Sequence, residues 1–402
     1  MILSDICEFI VDCPHTTAED EGQGYPLIRT PNIGKGQLLL EGVHRVSEEV
    51  YNNRNFRAVP QDDDLIFARE APAGNVAIIK NGEKVCLGQR TVLIRPNKNF
   101  VNPNYLVYYL LTPQQQYKLL GTANGATVAH VNLPIIRNLP VELPDIKTQN
   151  KIANVLSAYD DLIENNKKQI RLLEEAAQRL YKVWFVDLRF PGYENTPITD
   201  GVPQGWEKSA FSDVFTFVRG KSYTSKELSE SDGVLMVNLK NIRAYGGYKR
   251  NAEKRFTGAY KEEQLLVGGD VVMGVTDMTQ ERRLVGHVAL IPSFNEKVTF
   301  SMDLIKLMPS SVSKNYLYCA LQYGGYSEQI APLANGVNVL HLKPEAMMKM
   351  EMLVPDENTI RTFDVQFEAV RLKIEALEKQ CNLAVQARDR LLPKLMSGEL
   401  EV

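Results

Sequence analysis

The sequence predicts an α+β protein built as a tandem repeat, in which two small β-rich α/β units are separated by two long helices. The first observation is a repeated phrase. ANGATVAHV at residues 123–131 returns as ANGVNVLHL at residues 334–342, 211 positions later in a chain of 402. The second observation is a heptad-patterned segment that the same offset maps onto another such segment. A repeat that spans half the chain predicts a pseudo-twofold arrangement of two related units.

The long helices are predicted from residues that recur every seven positions after each β-rich unit. One seam position holds Leu156, Ile163, Ile170, Ala177 and Trp184, and the other holds Tyr159, Asn166, Leu173 and Leu180. Adding 211 to these positions gives a second set, in which Arg388 is the one charged residue. The other members are apolar or small, and they are Phe367, Ile374, Cys381, Leu395, Val370, Leu377, Ala384 and Leu391. Such heptads predict two packed helices of about 37 residues and about 55 Å each. Asn166 in the seam either costs stability or fixes the register of the pair, and we favour the second interpretation.

Shared segments before each helix divide the chain into units. LSDICEFI at 3–10 is similar to FSDVFTFV at 211–218, and Asn32-Ile33 corresponds to Asn241-Ile242. Short apolar runs between Gly, Pro and Asn predict strands within both units. The Pro- and Gly-rich segment after the first helix predicts an extended linker. The predicted order is a β-rich unit at 1–146, a helix at 147–188, the linker at 189–204, a second β-rich unit at 205–355, and a helix with its tail at 356–402.

Composition excludes several classes of protein. The hydrophobic share of 44% and the charged share of 24% are ordinary for a soluble globular protein. No apolar run approaches the ~20 residues of a membrane span, and the N-terminus lacks the basic region of a secretory signal. The 5 cysteines form no CxxC pair and the 5 histidines have no metal-ligand spacing. We therefore expect a cytoplasmic protein without a metal site.

One stretch has the composition of a nucleic-acid contact, although the net charge of the chain is −3. Residues 240–261 contain seven Lys or Arg and one acidic residue, with four aromatic residues interleaved. The stretch is either a solvated face or a DNA contact. The aromatic residues and the scarcity of acids favour DNA, where Lys and Arg would neutralise phosphates.

Candidate DNA-contacting residues follow from the side chains that read base edges, which are Arg, Lys, Asn and Gln. Asn124 and Asn335 precede Gly in the repeated phrase, which predicts either a plain tight turn or a loop that approaches DNA. His130 and His341 are expected to satisfy backbone groups, with a phosphate or base contact as the alternative. The candidates in the first unit are Arg29, Asn32, Lys35, Arg69, Arg90 and Asn124, and those in the second are Lys240, Asn241, Arg243, Lys249, Arg250, Arg282, Arg283 and Asn335.

Three motifs together resemble one protein family. The segment LPDIKTQNKIANVLSAYDDLIENNKKQIRLLEEAAQRLYKVWFVDL, which ends in Trp-Phe-Val-Asp at 184–187, is similar to the central conserved region of type I restriction–modification specificity subunits. VPQGWEK at 202–208 looks like the entry to the second target-recognition domain of that family. LLPKLMSGEL at 391–400 looks like its distal conserved end. The resemblance covers the whole chain in the same order of parts.

The resemblance implies a non-catalytic DNA-recognition subunit of a restriction endonuclease and adenine methyltransferase complex. Two target-recognition domains would each read half of a split, asymmetric site in double-stranded DNA, and two antiparallel helices would set the gap. Two modification subunits, which bring S-adenosylmethionine, would dock on the helices. Motor–nuclease subunits, which use ATP and Mg²⁺, would complete the complex. Trp184 and Phe185 are then either core at the end of the helices or, as the alternative, a docking patch for a modification subunit.

Two other functions compete with this interpretation. A non-catalytic coiled-coil scaffold is possible, but the basic and aromatic stretch argues against it. A stand-alone DNA methyltransferase or nuclease needs motifs that the sequence lacks, because there is no Asn/Asp-Pro-Pro-aromatic tetrad, no GxxxxGK[ST] loop and no HExxH. The nearest approach to the tetrad, at residues 101–105, has Asn where the second Pro belongs. We therefore expect no cofactor and no metal in this chain.

Overall fold

A computed structural model describes residues 1–121 and 130–402, which divide into two units. Unit 1 comprises Met1–Asn166 and Gln380–Val402, and unit 2 comprises Lys167–Lys379. Each of the two long helices therefore gives one segment to each unit. Asn124, in the first copy of the repeated phrase, lies outside the described residues.

Unit 1 contains a four-stranded antiparallel sheet and a smaller three-stranded sheet. Its strands are β1 (Cys7–Asp12), β2 (Tyr25–Ile28), β3 (Arg45–Val46), β4 (Leu65–Ala68), β5 (Val76–Ile78), β6 (Cys86–Leu87) and β7 (Thr91–Pro96). The larger sheet has the order β1-β7-β4-β5 and the smaller has the order β3-β2-β6.

The larger sheet of unit 1 is buried on both faces, which explains its continuous apolar strands. Successive side chains of a strand point to opposite faces. Leu65 and Phe67 accordingly belong to one hydrophobic cluster, and Ile66 and Ala68 belong to another. The first cluster also contains residues of the helices, so that face of the sheet carries the helical layer.

The helices of unit 1 begin where the sequence supplies capping residues. Asn102 caps α2, because its side chain accepts a hydrogen bond from the Tyr105 N–H at 3.0 Å, and Pro103 follows at the first helical position. The helices that start in this unit are α1 (Glu48–Arg54), α2 (Pro103–Leu111), α3 (Pro113–Leu120), α4 (Leu133–Arg137) and α5 (Ile146–Tyr181).

Unit 2 repeats this plan with more strands. They are β8 (Ile198–Thr199), β9 (Val202–Pro203), β10 (Glu207–Ala210), β11 (Phe215–Arg219), β12 (Leu228–Ser229), β13 (Val234–Val237), β14 (Lys254–Phe256), β15 (Val271–Gly274), β16 (Thr276–Asp277), β17 (Val288–Leu290), β18 (Val298–Phe300), β19 (Leu304–Pro309), β20 (Leu340–His341) and β21 (Glu351–Val354). The helices are α6 (Phe211–Val214), α7 (Lys314–Tyr323), α8 (Tyr326–Ile330) and α9 (Glu357–Ser397).

The two units share one sheet topology, which confirms the predicted α+β repeat. The central sheet of unit 2 has the order β11-β19-β15-β17, which matches β1-β7-β4-β5 strand for strand. A second sheet of unit 2, β12-β14-β13-β18, contains the parallel pair β13 and β18 as unit 1 contains the parallel pair β2 and β6. The smaller sheets of unit 2 are β16-β20, β10-β21 and β8-β9.

The segment at 189–204 is not extended throughout, which corrects the predicted conformation. It contains a 3-10 turn at Tyr193–Asn195 and the hairpin β8-β9. Phe190 at its start and Trp206 just after its end are buried with their ring centroids 4.6 Å apart. The Trp206 indole N–H also donates to Asp356 at 3.0 Å. Apolar burial and one partly buried hydrogen bond therefore hold the segment against the core of unit 2.

The long helices pack antiparallel within each unit, which confirms their prediction. In unit 1 Asn166 Nδ2 donates to Gln380 Oε1 at 2.9 Å, and Asp160, earlier in α5, pairs with Arg388, later in α9. In unit 2 the rings of Tyr181 and Phe363 lie 6.4 Å apart. Helix α5 has 36 residues and continues as a π-helical turn at Lys182–Val186, and α9 has 41 residues. The buried Asn166 therefore has a polar partner on the other helix, which supports its role in register.

Candidate nucleic-acid interface

Three loops of unit 2 meet at one surface. We call it the unit 2 loop surface and define it by residues 243–247, 277–285 and 335–341. Gln280 Nε2 donates to the carbonyl of Val337 at 2.7 Å, which joins the second loop to the third. The Tyr245 N–H donates to the carbonyl of Arg283 at 2.7 Å, which joins the first loop to the second. Hydrogen bonds thus hold the three loops as one surface.

Asp277 organises the central loop of this surface. Its buried carboxylate accepts hydrogen bonds from the Thr279 N–H at 2.8 Å and from the Leu284 N–H at 2.6 Å. Burial acts to raise the pKa of Asp277, but the hydrogen bonds to the charged form outweigh it and lower the pKa below its ordinary value. The carboxylate is therefore ionised at neutral pH, and it fixes the loop that carries Arg282 and Arg283.

The second copy of the repeated phrase forms the third loop. The backbones of Asn335 and His341 exchange hydrogen bonds of 3.0 and 2.9 Å. Gly336 is required inside the turn, because a Cβ there would lie 1.9 Å from the Val339 carbonyl oxygen. The side chains of Asn335 and His341 are exposed. This copy is a closed turn, as one of the two interpretations predicted, and its contact with DNA stays a prediction.

The unit 2 loop surface presents apolar and polar groups side by side. Val337 is 88% exposed, Met278 is 78% exposed and Tyr245 is 60% exposed. Exposed Arg283 and Asn335 lie on the same loops. Base edges offer both hydrogen-bonding groups and the thymine methyl group, so this mixture has the chemistry of base readout.

Two non-glycine residues of this surface hold left-handed backbone conformations. Arg282 has φ +53° and Tyr245 has φ +64°. Such conformations cost on the order of 1–3 kcal/mol each and cluster at ligand-binding sites. The buried Nε of Arg282 also has no hydrogen-bond partner among the described residues. Strain and an unpaired donor therefore coincide at one predicted DNA contact.

In unit 1 the predicted contact Arg90 binds Glu70, and the predicted contact Arg69 is linked to the same carboxylate through His130. Arg90 forms an ion pair with the Glu70 carboxylate, and His130 Nδ1 lies 2.7 Å from the other carboxylate oxygen. Arg69 Nη2 lies 3.0 Å from His130 Nε2, and Arg69 Nε donates to the Val131 carbonyl at 2.9 Å. The His130 ring therefore binds side chains rather than the backbone groups that we expected.

Most cations of the basic stretch at 240–261 pair with groups of the same chain, and their contact with DNA stays a prediction. Arg243 binds Glu174 at 3.0 Å and Arg250 binds Glu378 at 2.7 Å, both on the long helices. Lys254 binds the Tyr223 hydroxyl at 2.6 Å, Arg255 pairs with Glu296, and Lys261 pairs with Glu263.

Lys240 and Lys249 are the exposed remainder of this stretch. Neither has an ion-pair partner within residues 1–121 and 130–402. Lys35 in unit 1 is exposed in the same way. These three ammonium groups are available to phosphates. Arg29 is half-buried, and its Nε is buried without a partner in the described part of the chain.

The repeated asparagines Asn32 and Asn241 brace loops, and their burial leaves little amide surface for a base. Asn241 Nδ2 donates to the Lys249 carbonyl at 3.0 Å, and Asn32 Nδ2 donates to the Leu39 carbonyl at 3.2 Å. Each amide oxygen accepts a backbone N–H three residues earlier, from Asn238 and Arg29. The repeat at these positions therefore preserves a fold element, and a base contact by either asparagine stays a prediction.

Trp184 and Phe185 lie in the core of unit 2, and their role in docking a modification subunit stays a prediction. They are buried, and the Phe185 ring lies 5.0 Å from the ring of Phe363 and 4.9 Å from that of Tyr316. A docking patch requires exposed rings.

Sequence reasoning missed three residues that shape these surfaces, namely Glu70, Asp277 and Gln280. The local sequence could have predicted the role of Asp277. An Asp two residues before Thr279 in a polar segment is typical of a side chain that caps its own turn. Glu70 and Gln280 carried no local signal, because their partners His130 and Val337 lie 60 and 57 residues away.

Two other kinds of site are absent from the described ranges. No group of three or more His, Cys, Asp or Glu residues there is placed to hold a metal ion. No helix there has the length and apolar character needed to cross a membrane.

Comparison with known proteins places the chain among specificity subunits. A family model described as the type I restriction modification DNA specificity domain matches residues 1–175. The type I restriction enzyme MjaIX specificity subunit of Methanocaldococcus jannaschii is 26% identical over 90% of this chain and 83% of its own length. The type I restriction enzyme HindI specificity subunit of Haemophilus influenzae is 20% identical over 84% of this chain and 86% of its own.

The fold agrees with these relatives. The crystal structure of the S subunit of a type I restriction–modification system from M. genitalium aligns with a TM-score of 0.59, over 98% of this chain and 95% of that chain. The identity is 15%, so the likeness concerns the fold. Sequence relatives that cover most of the chain and a shared fold lead to one conclusion. The chain belongs to the specificity subunits of type I restriction–modification systems, and it is the DNA specificity component of such a complex rather than its catalytic component.

Proposed function

We propose that each β-rich domain, at residues 1–146 and 205–355, reads one half of a bipartite, asymmetric site in double-stranded DNA. The observation that carries this proposal is one sheet order built twice with different loops. A duplicated domain presents two DNA-binding surfaces, as dimeric DNA-binding proteins do at two half-sites. Because the two copies differ in their loops, the half-sites are expected to differ as well.

The exposed side chains divide into two roles. Lys35, Lys240 and Lys249 would neutralise phosphates, which sets affinity and not sequence. Base reading falls to the remaining candidates, namely Arg29, Arg69, Arg90 and Asn124 in the first domain and Arg282, Arg283 and Asn335 in the second. The unit 2 loop surface supports this assignment by its mixture of exposed apolar and polar groups.

The long helices would set the gap between the half-sites and dock two modification subunits. Exposed apolar side chains support docking, since Val365 is 71% exposed and Leu372 is half-exposed on the same face of α9. S-adenosylmethionine would then belong to the modification subunits. ATP and Mg²⁺ would belong to motor–nuclease subunits of a cytoplasmic complex.

Electrophoretic mobility shift tests the DNA-binding half of this proposal. The chain is mixed with a modification subunit and random duplex DNA at low salt, and we expect a shift that weakens as salt rises. Absence of a shift at low salt would favour the scaffold alternative. Label transfer from S-adenosylmethionine to DNA by the chain alone would instead indicate a stand-alone methyltransferase.

A further inference from the structure

Two arginines of the basic stretch hold the second domain on the long helices of unit 2. Arg250 Nε donates to Glu378 Oε2 on α9 at 2.7 Å, and the two side chains are 18% and 17% exposed. Arg243 lies 3.5 Å from the other oxygen of Glu378 and 3.0 Å from Glu174 on α5. One loop of the domain thus binds carboxylates of both helices.

A second loop binds α9 one turn away. The Ser293 N–H donates to Glu375 Oε1 at 2.8 Å, and Arg371 binds Glu375 Oε2 at 3.1 Å. Glu375 and Glu378 are three residues apart, so they lie on one face of the helix. Charged hydrogen bonds of this kind are directional, so they define an orientation as well as a contact.

The network belongs to the second copy of the repeat and not to the shared frame. The offset of 211 places Lys167, a residue of opposite charge, where the second copy has Glu378. In unit 1 the comparable ion pair between a domain loop and α5 joins Lys80 to Asp161 at 3.7 Å, with the Asp161 side chain 67% exposed. The domain topology therefore forms without the arginine network, which leaves the network free to serve a different role.

We propose that Glu378 is a positioning residue. Together with its partners Arg250 and Arg243, it fixes the orientation of the second domain on the helices. This inference rests on the proposed function. A domain held in one orientation meets its half-site at one fixed distance from the other half-site. The network would therefore make the complex discriminate between targets with different gap lengths. Apart from Arg243 at its edge, Glu378 bonds to no residue of the unit 2 loop surface within the described ranges, so its loss should leave the bases of the half-site unchanged.

The test measures methylation by the complete complex with its modification subunits, on duplexes that carry the wild-type target or the same target with its gap changed by one base pair. The variants are Glu378→Gln, Arg250→Met and the double variant. We expect each single variant to lose roughly tenfold of the discrimination between the two gap lengths, because small misplacement of a reacting group has large effects on rate. The double variant should lose little more, because both changes break one interaction.

Glu357→Gln is the matched control, since it makes the same charge change at an exposed position of α9. Unchanged gap discrimination in Glu378→Gln would overturn the inference, and so would a change in the bases of either half-site. If Glu378→Gln fails to assemble, Arg243→Met gives the same comparison, because its guanidinium is 42% exposed and lies at the edge of the network. A wild-type complex that methylates no bipartite site would refute the proposed function itself, which is a different outcome.

Discussion

Arg388 on α9 donates from Nη1 to Oδ1 of Asp160 on α5 at 2.5 Å. Arg388 is the charged residue that interrupts the apolar seam of the second helix, and its partner explains why the helix tolerates it. Both side chains are about four-fifths buried, at 19% and 23% exposure. The Tyr108 hydroxyl of α2 donates to the second oxygen of Asp160 at 2.5 Å, so the pair also ties the first domain to the helices.

Replacing Arg388 by Met should lower the free energy of unfolding by about 1–3 kcal/mol. The change leaves the Asp160 carboxylate buried with only the Tyr108 hydroxyl as partner, and an unpaired buried acceptor costs about that much. Chemical denaturation of the two proteins measures the difference. Arg390→Met, at an exposed position of the same helix, should change stability by less than about 0.5 kcal/mol. An equal loss in both variants would show that the pair with Asp160 contributes nothing specific.

The heptad pattern predicted the helix pair because apolar burial at a period of seven is a local property of the sequence. Ile163 and Leu377 are buried as the pattern requires. Arg388 could not be explained at that level, since Asp160 lies 228 residues away.

The candidate site was predicted less well, for a related reason. An Arg that reads DNA and an Arg that binds a helix carboxylate look alike in sequence, and Arg243 and Arg250 proved to be the second kind. Asn32 and Asn241 brace loops in both copies, as expected if repetition marks shared structure. Lys240 and Lys249 are exposed, since charge and exposure usually go together, and their contact with DNA stays a prediction.

Lys240→Gln combined with Lys249→Gln should weaken binding of all duplexes alike. Each Lys that holds a phosphate releases counterions, so losing two contacts should flatten the slope of log K against log salt by about 1.8. Titrations of random and target duplexes between low and moderate salt give that slope. Lys226→Gln, which removes an exposed charge elsewhere in the second domain, should leave it unchanged. A wild-type slope in the double variant would show that neither Lys240 nor Lys249 contacts a DNA phosphate.

Asp277→Asn should destabilise the protein at neutral pH, and the difference from wild type should shrink in acid. The pKa of Asp277 is lowered on folding, so the carboxylate stabilises the fold above its unfolded pKa of about 3.9. That stability is lost as pH falls through the lower folded pKa. Chemical denaturation at pH 7, 5 and 3 gives the difference in unfolding free energy between wild type and variant at each pH. The other carboxylates titrate in both proteins, so their effects cancel in that difference. A difference that grows in acid would contradict the assigned role of the Asp277 hydrogen bonds.

Deleting seven residues from each long helix should shorten the unspecified gap and leave both half-sites intact. Seven residues keep the seam in phase, so the helices can still pack. Mapping of methylated adenines gives the gap and the half-sites in one experiment. Deleting four residues from each helix breaks the phase and should abolish methylation. Altered bases in a half-site after the seven-residue deletion would show that the helices do more than set distance.

The central claim is that the two domains read separate half-sites, and exchange of one domain tests it most directly. Residues 1–146 are replaced by the corresponding segment of another specificity subunit, and methylated adenines are mapped across a genome with the same modification subunit. We expect one half-site to change to that of the donor while the other half-site and the gap stay as in the wild type. A change in both half-sites would contradict it, and so would an unchanged target.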